Sequence, residues 1–194
     1  MRPSRQTPLL LLAMLALAAC APEPTNFAVS SPAYEDGGRI PQVYTCDGES
    51  KRVPLAISHL PKGTESIAII MEDPDASGGL FTHWAVWDID PKVTTIASDD
   101  PLAGATEGVN GRDAFGYIGP CPSSDTHRYV TRVFAVNRHL SLPSTTTPDD
   151  LKEALADYVI QQAEITGLYG RTSGGTDDAT GTGAKTLPGS TIVE

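Results

Sequence analysis

A mainly antiparallel β domain with little helix is what this sequence predicts, and three observations carry that expectation. Short apolar or alternating runs recur through the middle of the chain, each bounded by Gly, Pro, Asp or Ser. Aromatic and β-branched residues concentrate in those runs, as in Phe81–Trp87 (FTHWAVW) and His127–Val136 (HRYVTRVFAV). One stretch alone carries a convincing helix start, Thr147-Pro148-Asp149-Asp150. Many strands with one peripheral helix make an antiparallel β or α+β domain. The 194 residues suffice for one such domain with extras at its ends.

The chain does not begin with that domain. Met1–Ala19 has a short basic region (Arg2, Arg5), an apolar run from Leu9 to Ala19, and small residues before Cys20. This is the pattern of a secretory signal, too short for a comfortable membrane span. Residues 20–25 form a tether around Pro22–Pro24, and the folded domain is expected over residues 26–171.

Within it, Asn26–Tyr34 and Val53–His59 read as strands, the second alternating and bounded by Pro54 and Pro61. Ser66–Met71 is an apolar run of the right length for one buried strand. It leads to Asp73 and Asp75 around a proline, then to the flexible turn Ser77-Gly78-Gly79 and the strand FTHWAVW. Simple alternation points His83 with Ala85 and Trp87. Val93–Ala97 is a further short strand, and Asp99–Arg112 an irregular connection, with tight turns at Asn110-Gly111 and Gly116. In the HRYVTRVFAV strand His127, Tyr129, Thr131 and Val133 share one face, and Val130, Phe134 and Val136 the other. The helix is capped at Thr147. Its apolar stripe of Leu151, Ala154, Leu155, Tyr158, Val159 and Ala163 carries it towards Gly167. Residues 172–194 begin as a Gly/Thr/Asp-rich stretch with no core-forming pattern and are expected to be a flexible tail.

Charge narrows the function classes. The chain has 14 basic and 24 acidic residues. Removing the signal takes Arg2 and Arg5 and no acid, which leaves a net charge of −12. So acidic a protein has no general attraction for nucleic acid or anionic lipid surfaces. Any phosphate must be held by a local site.

The sharpest cluster of reactive types is Asp73, Asp75 and His83, joined by His127 and Tyr129 where a Gly/Pro/Ser loop enters the later strand. On residue types alone the acids are ordinary turn formers, and His83 could be a core histidine satisfied by backbone. Ser77 or Ser124 with His83 or His127 and Asp73 could be drawn as a hydrolytic triad, but no G-x-S-x-G elbow supports it. Two histidines and a carboxylate meet the ligand list of a facial metal triad, without any H-x-x-H spacing. No metal or other cofactor is therefore expected.

The pair DPDAS…FTHW and GPCPSSDTHRYV resembles the signature of the phosphatidylethanolamine-binding protein family, more narrowly its bacterial and archaeal Raf kinase inhibitor-like branch. IPQVYTCDG (Ile40–Gly48), EGVNGRDAFGY (Glu107–Tyr117) and ITGLYGR (Ile165–Arg171) extend the likeness over residues 26–171. The resemblance implies a β-sandwich with a central antiparallel sheet and one or two peripheral helices. It also implies a ligand pocket on Asp73, His83, Gly119, His127 and Tyr129, with Tyr169 as a further candidate. Such a pocket takes a phosphate-like anion or phospholipid headgroup through imidazoles, a tyrosine hydroxyl and backbone N–H groups, with Asp73 orienting the donors. Ser77 and Ser123 stand where family members commonly carry prolines at the pocket mouth. The expected function is binding rather than catalysis. Its alternative is an inhibitor or interaction module acting on an extracytoplasmic protease or other protein, because an exported protein does not meet a cytoplasmic kinase.

Leu17-Ala18-Ala19-Cys20 resembles the lipobox of bacterial lipoproteins, in which Cys20 is acylated and anchors the protein to a membrane. In a Gram-negative cell, Ala21 rather than Asp after that cysteine directs it to the outer membrane. With Cys20 so used, Cys46 and Cys121 remain as an even pair in an oxidising compartment. A disulfide is the expectation and two buried free thiols the alternative.

Overall fold

The computed structural model describes residues 26–171, so the expected signal, Cys20, the expected tether and the expected C-terminal tail lie outside the described residues. Nine strands and one α-helix follow in order. They are β1 (Ala28–Ser30), β2 (Gly38–Arg39), β3 (Leu55–Ser58), β4 (Ser66–Asp73), β5 (Phe81–Ile89), β6 (Thr95–Ile96), β7 (Thr106–Glu107), β8 (Thr126–Val136), α1 (Pro148–Leu155) and β9 (Val159–Gly170). A 3₁₀ turn at Gln42–Tyr44 precedes β3. Three strands form a small sheet in the order β1-β3-β6, and six form the main sheet in the order β2-β9-β8-β4-β5-β7.

The apolar run of β4 lies at the heart of the main sheet, antiparallel to β5 on one side and β8 on the other, and every one of its residues is buried. Its alternate side chains feed two cores. Ile67, Ile69 and Met71 face the small sheet, where they join Leu55, Ile57, Ile96, Trp84, Val86, Tyr129, Val133 and Ile165. Ala68 and Ile70 face the other way, with Ala85, Trp87 and Val136 under Leu151 and Leu155 of α1. The result is the expected sandwich with its central antiparallel sheet and one peripheral helix. The expected faces of β8 also hold, with Tyr129 and Val133 in the first core, Phe134 and Val136 in the second.

The helix is shorter than its periodicity predicts. Thr147 caps it by accepting the Asp150 N–H at 3.2 Å, and Asp149 and Asp150 occupy the first turn, but it ends at Leu155. Tyr158, Val159 and Ala163 belong instead to the approach and body of β9. That strand pairs antiparallel with β8 from Val136↔Val159 to Thr126↔Gly170. A ladder of this length outweighs a weak helical stripe, and the segment also alternates with period two at Ile165, Gly167 and Tyr169. Gly167 is required there, because a Cβ would lie 2.5 Å from the Ile40 side chain. The short β2, parallel to β9 at Gly38↔Gly167 and Arg39↔Leu168, was not expected either. Asn26–Tyr34, Val53–His59 and Val93–Ala97 contract to Ala28–Ser30, Leu55–Ser58 and Thr95–Ile96. The stretch 99–112 contains β7.

Candidate functional site

Three strand ends meet at one rim of the main sheet. β4 finishes at Asp73, the antiparallel β8 begins beside it, and β5 enters from the other flank with Phe81 opposite Asp73. Asp73 is only 4 % exposed. Its Oδ2 accepts the His127 Nδ1–H at 2.7 Å, and its Oδ1 accepts the Asp75 N–H at 2.8 Å.

His83 reaches the same space through a break in alternation. Along β4 and β5, Met71 faces Trp84 and Glu72 faces Thr82, so His83 is an extra residue in β5, a β-bulge. Trp84 and Val86 face the first core, and regular alternation would turn His83 away from it with Ala85 and Trp87. The bulge returns it. The His83 ring packs edge-on against Phe81 at 4.8 Å and Tyr129 at 5.1 Å between centroids, on the pocket side. The expectation that His83 shares a face with Ala85 and Trp87 is thereby corrected.

Two loops complete the walls. Residues 108–118 are stitched to the β5 edge by Gly108 N–H to Ala85 O, Gly111 N–H to Thr82 O and Ile118 N–H to His83 O. Buried Asn110 holds this loop in shape, donating to Gly116 O and accepting the Arg112 N–H. The second wall, Gly119 to Ser123, is tied to the 42–50 loop by the Cys46–Cys121 disulfide, with a Cα–Cα distance of 5.3 Å, and by Cys46 N–H to Pro120 O. The expected disulfide is therefore present. The cavity so enclosed has a volume of about 140 Å³, lined by Asp73, His83, His127, Arg112 and Gly119 with Ser77, Ser123, Phe81, Ala76, Ile118, Cys121 and Pro122.

The polar groups have distinct roles. His83 donates its Nδ1–H to Ile118 O at 2.8 Å, and burial holds its pKa below the ordinary imidazole value, with the Ile118 carbonyl and Asp73 opposing. Gly119 lines the cavity, but its N–H donates to Ser50 Oγ at 3.0 Å, so it does not offer the free backbone donor expected of it. Its value is close approach, since a Cβ would meet Ser50 Oγ at 2.6 Å and Tyr44 O at 2.9 Å. Tyr129 is fully buried behind the two imidazoles and does not line the cavity, and burial raises its pKa. Tyr169 also stands off it, donating to Asp47 at 2.7 Å beside Arg171. Asp75 is a turn acid engaged by Arg128, whose contacts hold its pKa down to about 2. Trp84 is a core residue whose indole donates to Glu107 at 2.7 Å. Arg112 is the lining residue that sequence reasoning missed. It sits inside a motif quoted for resemblance, but only the fold of the Asn110 turn brings it to the cavity lining.

A sandwich of two mainly antiparallel sheets with a small carboxylate–imidazole pocket at one sheet rim defines the class of this protein. The chain belongs to the phosphatidylethanolamine-binding protein family, whose model matches residues 30–170. It is 39 % identical over 144 residues to a UPF0098 protein of Methanothermobacter thermautotrophicus, covering 72 % of this chain and 95 % of that one. Among solved structures it resembles a phosphatidylethanolamine-binding protein homologue of Chlamydia trachomatis, with a TM-score of 0.74 and 32 % identity over 77 % of this chain and all of that one. It also resembles Escherichia coli YbcL, described as a member of the mammalian family, with a TM-score of 0.71 and 27 % identity over 75 % of this chain and 99 % of that one.

Proposed function

We propose that this is a non-enzymatic, lipid-anchored binding protein whose pocket takes a small phosphate-like anion, with Asp73, His83, His127 and Arg112 as its polar contacts. The observation that carries this reading is the Asp73–His127 pair at the wall of a cavity that His83 and Arg112 also line. Arg112 supplies fixed positive charge, and His127, held by Asp73 through Nδ1, turns its other ring nitrogen into a second polar contact. Anchoring rests on the lipobox-like run ending at Cys20.

Binding is favoured over hydrolysis because, among the described residues, no serine hydroxyl is hydrogen-bonded to either imidazole. His83 and His127 spend their Nδ1 atoms on Ile118 O and Asp73. Calorimetric titration of phosphorylethanolamine at pH 6 and pH 8, beside an ester-hydrolysis assay, tests the reading. Tighter binding at the lower pH without turnover is expected. Hydrolysis abolished by Ser77→Ala or Ser123→Ala would establish an enzyme instead. Labelled palmitate should enter through Cys20 and be lost in Cys20→Ser, which should also leave the membrane.

A further inference from the structure

The pocket's hydrogen-bond valences specify more than a negative charge. Ile118 offers His83 a carbonyl oxygen, which can only accept, so the His83 proton sits on Nδ1 and the neutral ring presents a bare Nε2. Buried at 4 % exposure, this ring favours its neutral form. His127 likewise gives its Nδ1–H to Asp73, which leaves Nε2 as its second valence. The Gly119 N–H is already given to Ser50 and the Tyr129 hydroxyl lies behind the wall. Arg112 alone brings a fixed positive charge to the lining, and among the described residues no carboxylate pairs with it. The charged and titratable groups around His83 are thus Asp73 from β4, His127 and Tyr129 from β8, and Arg112 from the 108–118 loop. A ligand matching this set needs negative oxygen for Arg112 and a hydrogen for the His83 acceptor.

Resting on the anion-pocket reading, we propose that the site selects oxyanions bearing a hydroxyl hydrogen, foremost a phosphomonoester in its singly protonated form, and discriminates against phosphodiesters. A monoester keeps one P–OH below its second ionisation, at about pH 6, whereas a diester has none. An intact diacyl phosphodiester headgroup would leave the buried His83 acceptor unpaired, which corresponds to about a tenfold loss of affinity. The shared chemistry is a monoester, either soluble or carried on a lipid such as phosphatidic acid.

The test compares methyl phosphate with dimethyl phosphate by calorimetry on the full Cys20→Ser chain at pH 6 and pH 8. Methyl phosphate should bind at least about tenfold tighter at pH 6. Its affinity should fall more towards pH 8 than that of dimethyl phosphate, whose own charge does not change. Equal affinities, or tighter diester binding, overturn this proposal while leaving the anion pocket standing. Binding of neither overturns both. Nitrogen-15 NMR of the free protein supplies a readout without a ligand: His83 should show a protonated Nδ1 and a bare Nε2, and the opposite tautomer overturns the proposal. Sedimentation with phosphatidylcholine vesicles containing phosphatidic acid separates the sources. Capture by those vesicles assigns the monoester to a lipid, and binding of methyl phosphate alone assigns it to solution.

Discussion

Glu72 and Asp73 are neighbours on β4, buried to 3 % and 4 % exposure, and they face opposite sides of one sheet. Glu72 is met by two permanent cations, Arg132 at 3.0 Å and Lys152 of α1 at 2.7 Å. Asp73 is met by an imidazole and a backbone N–H beside a cavity. Burying a carboxylate requires compensation in both places. On the helix side it comes from groups that stay charged at every physiological pH, and the acid serves to dock α1. On the pocket side it comes from a single imidazole and a backbone N–H, and the acid orients His127 at the cavity wall. Two acids of equal burial therefore differ in the kind of partner that offsets their burial, a pair of cations on one face and an imidazole with a backbone N–H on the other.

The largest effect should come from the covalent tie, which only the pocket side has. Replacing Cys46 and Cys121 together by Ser opens a loop with a sequence separation of 75 residues. Chain entropy allows a loss of roughly 4 kcal/mol, with about 2–4 typical. Thermal unfolding should show it, and methyl phosphate affinity should drop with it because Cys121 is part of the wall. Unchanged affinity in a destabilised protein would show that the wall holds without the bridge.

Next, the two acids can be separated through their surroundings. Glu72→Ala should cost about 1–3 kcal/mol in denaturant unfolding and leave ligand binding intact. His127→Ala should do the reverse, weakening phosphorylethanolamine binding by about tenfold while cavity water replaces the lost bond to Asp73. If both variants lose binding equally, the division between the two faces fails.

A smaller effect distinguishes the histidines of the pocket. Burial lowers the His83 pKa in the folded protein. The unfolded chain then binds more protons, so stability is greatest above about pH 6.5 and falls as pH drops below that value. Denaturant unfolding from pH 8 to pH 5 should show this slope, flattened in His83→Asn. The smallest effect belongs to the half-exposed Asp75–Arg128 pair. Its depressed carboxyl stabilises above the unfolded value near about pH 4, and the gain is lost as pH falls to about 2. The melting difference between wild type and Asp75→Asn should close over that interval.

Strands whose apolar runs match their burial were legible in the sequence. Ser66–Met71 and Phe81–Trp87 sit inside β4 and β5, and His127–Val136 is β8 less its first residue. The C-terminal half of the predicted helix was not, because Tyr158, Val159 and Ala163 satisfy two periodicities and only pairing with β8 decides between them. At the site, Asp73, His83 and His127 were found by motif and are brought together. Their hydrogen-bond valences were hidden, since the engagement of Gly119 with Ser50 and of His83 with Ile118 joins residues far apart in the chain. Arg112 was hidden for a related reason. An arginine in a turn gives no local sign of the cavity it will face.

The bulge in β5 makes the pocket depend on residue number as well as residue type. β5 breaks register with β4 at two places, and at the one beside the pocket His83 is the residue without an opposite number, so the ladder could close between Thr82 and Trp84 without it. Deleting that single residue would leave Met71 opposite Trp84 and Glu72 opposite Thr82, both cores continuous, and the imidazole gone. Deletion would also take away the His83 carbonyl that accepts the Ile118 N–H, so the wall of the pocket would lose a tie together with the imidazole. A substitution such as His83→Asn keeps that backbone tie and removes the imidazole alone, so the pair of variants separates the shape of the wall from the chemistry of the ring.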